Sequence, residues 1–198
     1  MKELKDNKEV QNLAELGINL QTRLNKVPAR QINNPSLELG DRKYVDKNRE
    51  ANFQLFGQPI FSAKHELTIC IVHSKYADVS GMIKTFEDTS RKLKATFSYK
   101  KMEVPMFKDR DVIAGMEKAL KAHDNTNLLM VVIPGNLKNH YPRFKQELLT
   151  VKAGKEVISQ FVVENTLKKK NPQSVHTKLL LQMLAKRGNI LWVPSYQE

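Results

Sequence analysis

A single cysteine, Cys70, rules out an internal disulfide and any Cys-rich zinc site. It stands in the apolar run LTICIVH, which makes a buried structural thiol the expectation and a nucleophile the exception. No stretch approaches the roughly 20 apolar residues that a membrane-spanning helix requires. The opening MKELKDNKEV is charged throughout, with no apolar stretch behind it, and does not read as a secretory signal. A soluble, intracellular protein of a reducing compartment is expected, with nothing to separate nucleus from cytoplasm. There is no Walker-type glycine loop and no GxGxxG, and His65, His73, His123, His140 and His176 show no metal-ligand spacing. Acidic residues are scarce as well: 21 against 33 Lys plus Arg, a formal charge of +12. Such a balance favours a polyanionic partner, nucleic acid or an anionic surface.

What is present divides in two. Residues 1–60 hold Leu13, Leu16, Leu20 and Leu24 at helical spacing, interrupted by Gly17, and then a stretch rich in Pro, Asn, Gly and charge. This reads as a linker arm in extended form with at most a short helix. From residue 61 the pattern becomes regular. LTICIVH (67–73) suits a buried strand, and Val79, Met82, Ile83 and Phe86 line one face of a following helix. KATFSYKKMEV supplies a second strand. Residues 109–124 place Val112, Ile113, Met116, Ala119 and Leu120 on one helical face. NLLMVVI (127–133) is a doubly buried strand, a helix starts near Asn139, ISQFVV (158–163) is a strand, Pro172 to Lys186 form a long helix, and NILWV closes the series. Alternating strands and helices predict an α/β, Rossmann-like domain over 61–198, with a mostly parallel sheet flanked by helices, because parallel neighbours need a crossover. Ligands of such sheets bind beyond the carboxyl ends of the strands.

NHYPRFK (139–145) lies at one such end. Tyr141 and Lys145, four residues apart, share a helical face, and the start of a helix near Asn139 would offer unpaired N–H groups to an anion. Ring and cation together can hold a phosphate against a stacked base; the plain alternative is a half-buried ring beside a solvated charge. Between Lys138 and Arg187 there are eleven basic residues and three acidic ones, +8 of the chain's +12. Lys178, Gln182 and Lys186 form one stripe along the last helix. Gln160, in the strand ISQFVV, points either way on the residues alone.

In order along the chain, VVIPGNLKNHYPRFK, SQFVVENTL and VHTKLLLQMLAKRGNILW resemble the MID domain of the Argonaute/Piwi family, and within it the Piwi branch. The resemblance covers about residues 61–198 and extends more weakly to ELGINLQTRLNKVPARQI, which is similar to the linker preceding MID. It implies that Tyr141 stacks on the first base of a small 5′-phosphorylated guide RNA, and that Lys145, Gln160 and Lys186 hold the phosphate. Gln182 stands where many Argonautes carry a further lysine. A glutamine there is similar to the Piwi pattern, in which a divalent metal such as Mg2+ helps to hold the phosphate, and the charge logic agrees. The loop of Gly135, Asn136, Leu137, Lys138, Asn139 and His140 occupies the place of first-base discrimination, with uridine as the family-based expectation. Arg187 and Asn189 depart from the commoner KLGG ending, and Pro142 removes one N–H donor.

In that family slicing resides in an RNase H-like domain after MID, and this chain ends at ILWVPSYQE. No catalysis is expected of it. The resemblance makes it part of a longer silencing protein, with the other Argonaute/Piwi domains as partners, no membrane, and a monomeric state. Two further readings stay open: a sequence-indifferent RNA-binding surface along the basic stripe, and an α/β enzyme acting on a phosphorylated nucleotide, for which no base or nucleophile stands near NHYPRFK.

Overall fold

The computed structural model describes residues 36–45, 57–151, 154 and 156–195. All of them belong to one compact unit, Asn34–Glu198; the short helix expected around Leu13 to Leu24 lies outside the described residues. Four parallel strands form the centre: β3 (Leu67–His73), β4 (Phe97–Glu103), β5 (Leu128–Ile133) and β6 (Ile158–Val163), in the order β4-β3-β5-β6. The chain therefore adds β4 on one side of β3, then returns to place β5 and β6 on the other. That reversal is the switch point of a doubly wound sheet. β5 is buried along its whole length, as a strand covered on both faces must be.

The crossovers are α1 (Ser80–Lys92), α2 (Asp109–Ala122) and α3 (Tyr141–Val151); a one-turn α4 (Glu164–Leu167) leads into α5 (Pro172–Lys186). Helices α1 and α5 pack together over one face of the sheet, through Met82, Phe86, Leu180, Met183 and Leu184. On the opposite face α2 and α3 bury Val112, Met116, Phe144 and Leu148 against Leu129 and Val131. Gly115 lets α2 come close to the sheet, since a Cβ there would meet a methyl of Val104 at 2.9 Å. The start of α2 is closed by Asp111, whose carboxylate accepts the N–H groups of Phe107 and Lys108 at 3.0 and 2.9 Å. α5 starts with Pro172 at its first position, and Asn171 accepts the N–H of Ser174.

The last strand departs from expectation. NILWV does not extend the parallel sheet. Ile190 makes an isolated antiparallel bridge to Ser62, and β7 (Val193–Ser195) pairs antiparallel with β1 (Ser36–Glu38), which also pairs with β2 (Tyr44–Val45). The chain emerges from α5 through Gly188, at a positive φ of 97°, and is held there by Asn189. The buried Asn189 side chain donates to the His65 carbonyl and accepts the His65 N–H, both at 3.0 Å. With this turn tied to residue 65, the chain heads for Ser62 and β1 rather than for the sheet. The same pair of bonds explains why an asparagine stands in KRGN. Cys70 is fully buried and burial pushes its thiol pKa up to about 11, so it is an inert packing group. Among the described residues no helix is long and apolar enough to cross a membrane.

Candidate functional site

The stretch Gly135–His140, expected as a loop, is a 3-10 helix that runs directly into α3. This alters the expected anion site at the helix start. The N–H of Tyr141 is taken by the Lys138 carbonyl, and that of Leu137 by the Pro134 carbonyl. The preceding tight turn uses donors that an abrupt helix start would have left free. Any anion at this place must be held mainly by side chains.

The side chains do converge. Tyr141, in the first turn of α3, meets Phe161 of β6 edge to face, with ring centroids 5.4 Å apart at 87°. That is a favourable geometry for two rings. Lys145, one turn on, sets its ammonium 5.2 Å from the Tyr141 ring centroid. Gln160 precedes Phe161 and so points to the opposite face of the sheet, toward α5. There Lys186, the last residue of α5, donates to Gln160 Oε1 at 2.8 Å and to the Ser159 carbonyl at 3.0 Å. The sheet order makes β6 an edge strand. Tyr141 and Lys145 come from the helical layer on one side and Lys186 from the other, and they meet around that edge.

Two cations are thereby brought near each other. The Lys186 pKa is lowered, first by burial and second by repulsion from Lys145. Among the described residues neither lysine is ion-paired, so no carboxylate there relieves this repulsion. The sign of the pH effect follows. Unfolded, Lys186 holds its proton more tightly than when folded, so folding stability rises as pH climbs from the folded pKa toward the ordinary lysine value. Anion affinity moves the other way, falling through the same window as the ammonium is lost. Titrating inorganic phosphate against pH, beside thermal melts over the same range, should give slopes of opposite sign. Parallel slopes would remove Lys186 from the site.

Gln182 is exposed on α5 one turn before Lys186, with Lys178 one turn further back, so the expected stripe exists. Among the described residues no group of three or more His, Cys, Asp or Glu side chains can hold a metal. Amide oxygens are hard but neutral ligands, so Gln182 fits Mg2+ only beside an anion that supplies the charge. His140 is engaged by a carboxylate: its Nδ1 lies 2.7 Å from Asp109 Oδ2. Sequence reading missed Phe161 and Asp109 as neighbours of these residues. The only local signals were the alternation in SQFVV and an acid at a helix start.

The architecture is thus a doubly wound α/β domain carrying a basic cluster at an edge strand. Neither a family model nor a curated protein matches the sequence. Solved structures that match the fold include Piwi and Argonaute chains. Drosophila Piwi superposes with a TM-score of 0.67 at 14% identity, over 85% of this chain and 24% of its own. The Argonaute of A. aeolicus gives 0.60 at 18% identity over 92% of this chain and 26% of its own. Aa-Ago solved with externally bound siRNA gives 0.60 at 20% identity over 82% and 25%. At these identities the likeness is one of fold, and the α/β fold expected from the MID resemblance is the one these neighbours share. The chain spans about a quarter of their length.

Proposed function

We propose that this chain is a nucleic-acid-binding module that anchors the 5′-phosphorylated end of a small guide RNA within a larger Argonaute/Piwi-type silencing protein. The observation that carries the reading is the approach of Lys145 and Lys186, mutually repelling and without an ion pair among the described residues, around Gln160 and beside Tyr141. A terminal phosphate placed between two ammonium groups relieves that repulsion and gains charge-assisted hydrogen bonds. The Tyr141 ring, braced edge to face by Phe161, would stack on the first base. The 3-10 turn Gly135–His140 borders the same base and supplies its edge contacts. Residues 61–198 form the binding module in this reading, and 1–60 the linker to it. Its association with other domains of the same protein, and its lack of catalysis, belong to the same proposal.

A bound Mg2+ would supply positive charge where no further lysine stands. Gln182 would contribute its amide oxygen, while Lys145 and Lys186 hold the remaining phosphate oxygens.

The test is binding of one short single-stranded RNA as its 5′-phosphate and 5′-hydroxyl forms, at fixed salt, with and without Mg2+. The phosphate form should bind at least about tenfold more tightly, as expected of one charge-assisted contact, with the margin widened by Mg2+ and the widening lost in Gln182→Ala. Equal binding of both forms, with affinity tracking RNA length and salt, would assign the basic stripe to sequence-indifferent RNA contact instead.

A further inference from the structure

We infer that Asp109 is a positioning residue for the turn Gly135–His140 and sets how sharply the site discriminates the first nucleotide; the inference rests on the guide-RNA reading above. Beyond its own backbone bonds, the turn has few side chains holding it from within. Leu137 is its one buried residue; Gly135, Asn136, Lys138, Asn139 and His140 are all exposed. A turn that reads the edge of a base must nonetheless be fixed to a fraction of an ångström.

The fixing comes from outside. Asp109, the first residue of α2, accepts from His140 Nδ1 at 2.7 Å and from Arg143 Nη1 at 3.1 Å on a single carboxylate oxygen, Oδ2. The acceptor side chain is 16% exposed and lies beneath donors that are 47% and 58% exposed. It is therefore the shielded centre of the contact, where charge-assisted bonds keep more of their strength. Asp109 does not swing freely, because Asp111 secures the chain before it by accepting two backbone N–H groups. On the far side His140 stacks on Phe144, with centroids 6.5 Å apart at 27°, and Phe144 is fully buried.

At the other end the Asn165 side chain packs against Gly135, but among the described residues no ion pair holds the turn there. A cavity of about 380 Å³ separates the β4–α2 connection (Val104, Phe107) from the β5–α3 connection (Pro134, Asn136). The turn is pinned at His140 and open at Asn136. Without Asp109 it has room to shift toward the cavity. The phosphate cluster of Tyr141, Lys145, Gln160 and Lys186 has no bond to Asp109, and Tyr141 and Lys145 lie on a different face of α3 from Arg143. Loosening the clamp should therefore blur base selection and leave phosphate recognition in place.

The experiment uses four short 5′-phosphorylated RNAs that differ only in the first nucleotide, together with the 5′-hydroxyl form of the best binder. They are titrated into the wild-type chain, Asp109→Ala, Asp109→Asn and Arg143→Ala. In Asp109→Ala the ratio of best to worst first nucleotide should fall by about tenfold, the scale of discrimination carried by one base-edge contact. The ratio of 5′-phosphate to 5′-hydroxyl affinity should stay within about twofold. Asp109→Asn, which keeps an oxygen acceptor, should recover part of the discrimination. If Asp109→Ala folds poorly, Arg143→Ala, altered on an exposed side chain and leaving the His140 bond in place, should show a smaller compression in the same direction. Equal affinity of the wild-type chain for all four RNAs, or an unchanged ratio in both Asp109→Ala and Arg143→Ala, overturns the inference. Loss of the 5′-phosphate preference in the wild-type chain would overturn the pocket reading alone, since the clamp is judged on the first-nucleotide ratio.

Discussion

Replacing Lys186 with alanine should weaken binding of 5′-phosphorylated RNA by about 1.5–3 kcal/mol, one to two orders of magnitude, and leave 5′-hydroxyl RNA almost unaffected. Lys186 is held in place before any ligand arrives, by Gln160 Oε1 and the Ser159 carbonyl, so its ammonium has little orientation left to lose on binding. Lys145→Ala should give a loss of similar size from the other side of the edge strand. Stability should move differently from affinity. Lys145→Ala removes the repulsion that, second to burial, lowers the Lys186 pKa, so that variant should melt at the wild-type temperature or slightly above it. Isothermal titration with the two RNA forms, beside thermal melts, reads both quantities. A variant that loses affinity and stability together would mean that the lysine supports the fold; unchanged affinity in both variants would remove the phosphate site.

The second large effect concerns the platform beneath that site. Phe144→Ala should lower folding stability by about 3–5 kcal/mol, the range for deleting a buried ring. For a body of this size that corresponds to a fall in Tm of roughly 6–20 °C. Phe144 is fully buried between α3 and the sheet, in the cluster that contains Leu129, Val131, Leu148 and Phe161. It also follows Tyr141 by three residues and precedes Lys145 by one, so the cavity left behind lies directly under the binding face. Leu149→Ala on the same helix is the control: Leu149 is 71% exposed, and such a change usually stays within about 0.5 kcal/mol. Denaturant unfolding followed by circular dichroism would measure both. A loss below about 1 kcal/mol for Phe144→Ala would mean that α3 does not rest on the sheet through this ring.

The parts of the fold legible in the sequence were those with a period. Met82, Ile83 and Phe86 announced α1; Val112, Met116, Ala119 and Leu120 announced α2; unbroken apolar runs announced β3 and β5. Each face is buried against one layer, so local spacing and tertiary burial carry the same information. The three-residue strands β1 and β7 have no period to show, and backbone bonds between distant segments hold them. The turn Gly135–His140 looked like a loop because its side chains are mostly exposed; its order lies in the backbone and in the Asp109 contact. At the site, spacing singled out the pair Tyr141 and Lys145 and the stripe Lys178, Gln182 and Lys186, while Gln160 was named by the family resemblance. The structure brings Tyr141, Lys145, Gln160 and Lys186 near one another and leaves Gln182 exposed one turn before Lys186. Phe161, Asp109 and the approach of two lysines around an edge strand are products of topology, which no local spacing encodes.

The ladder between β1 and β7 bears on how this body sits within a chain under tension. Ser36 pairs with Ser195, Leu37 with Pro194 and Glu38 with Val193, so the chain enters and leaves the body side by side. Traction on the chain beyond these two points pulls on neighbours at the same end of an antiparallel ladder, and the pairs open one after another rather than shearing all at once. Three short rungs then yield before any load reaches the parallel strands β3 to β6. Under such traction the ladder would part first, with the lysines around the edge of β6 keeping their spacing until it has.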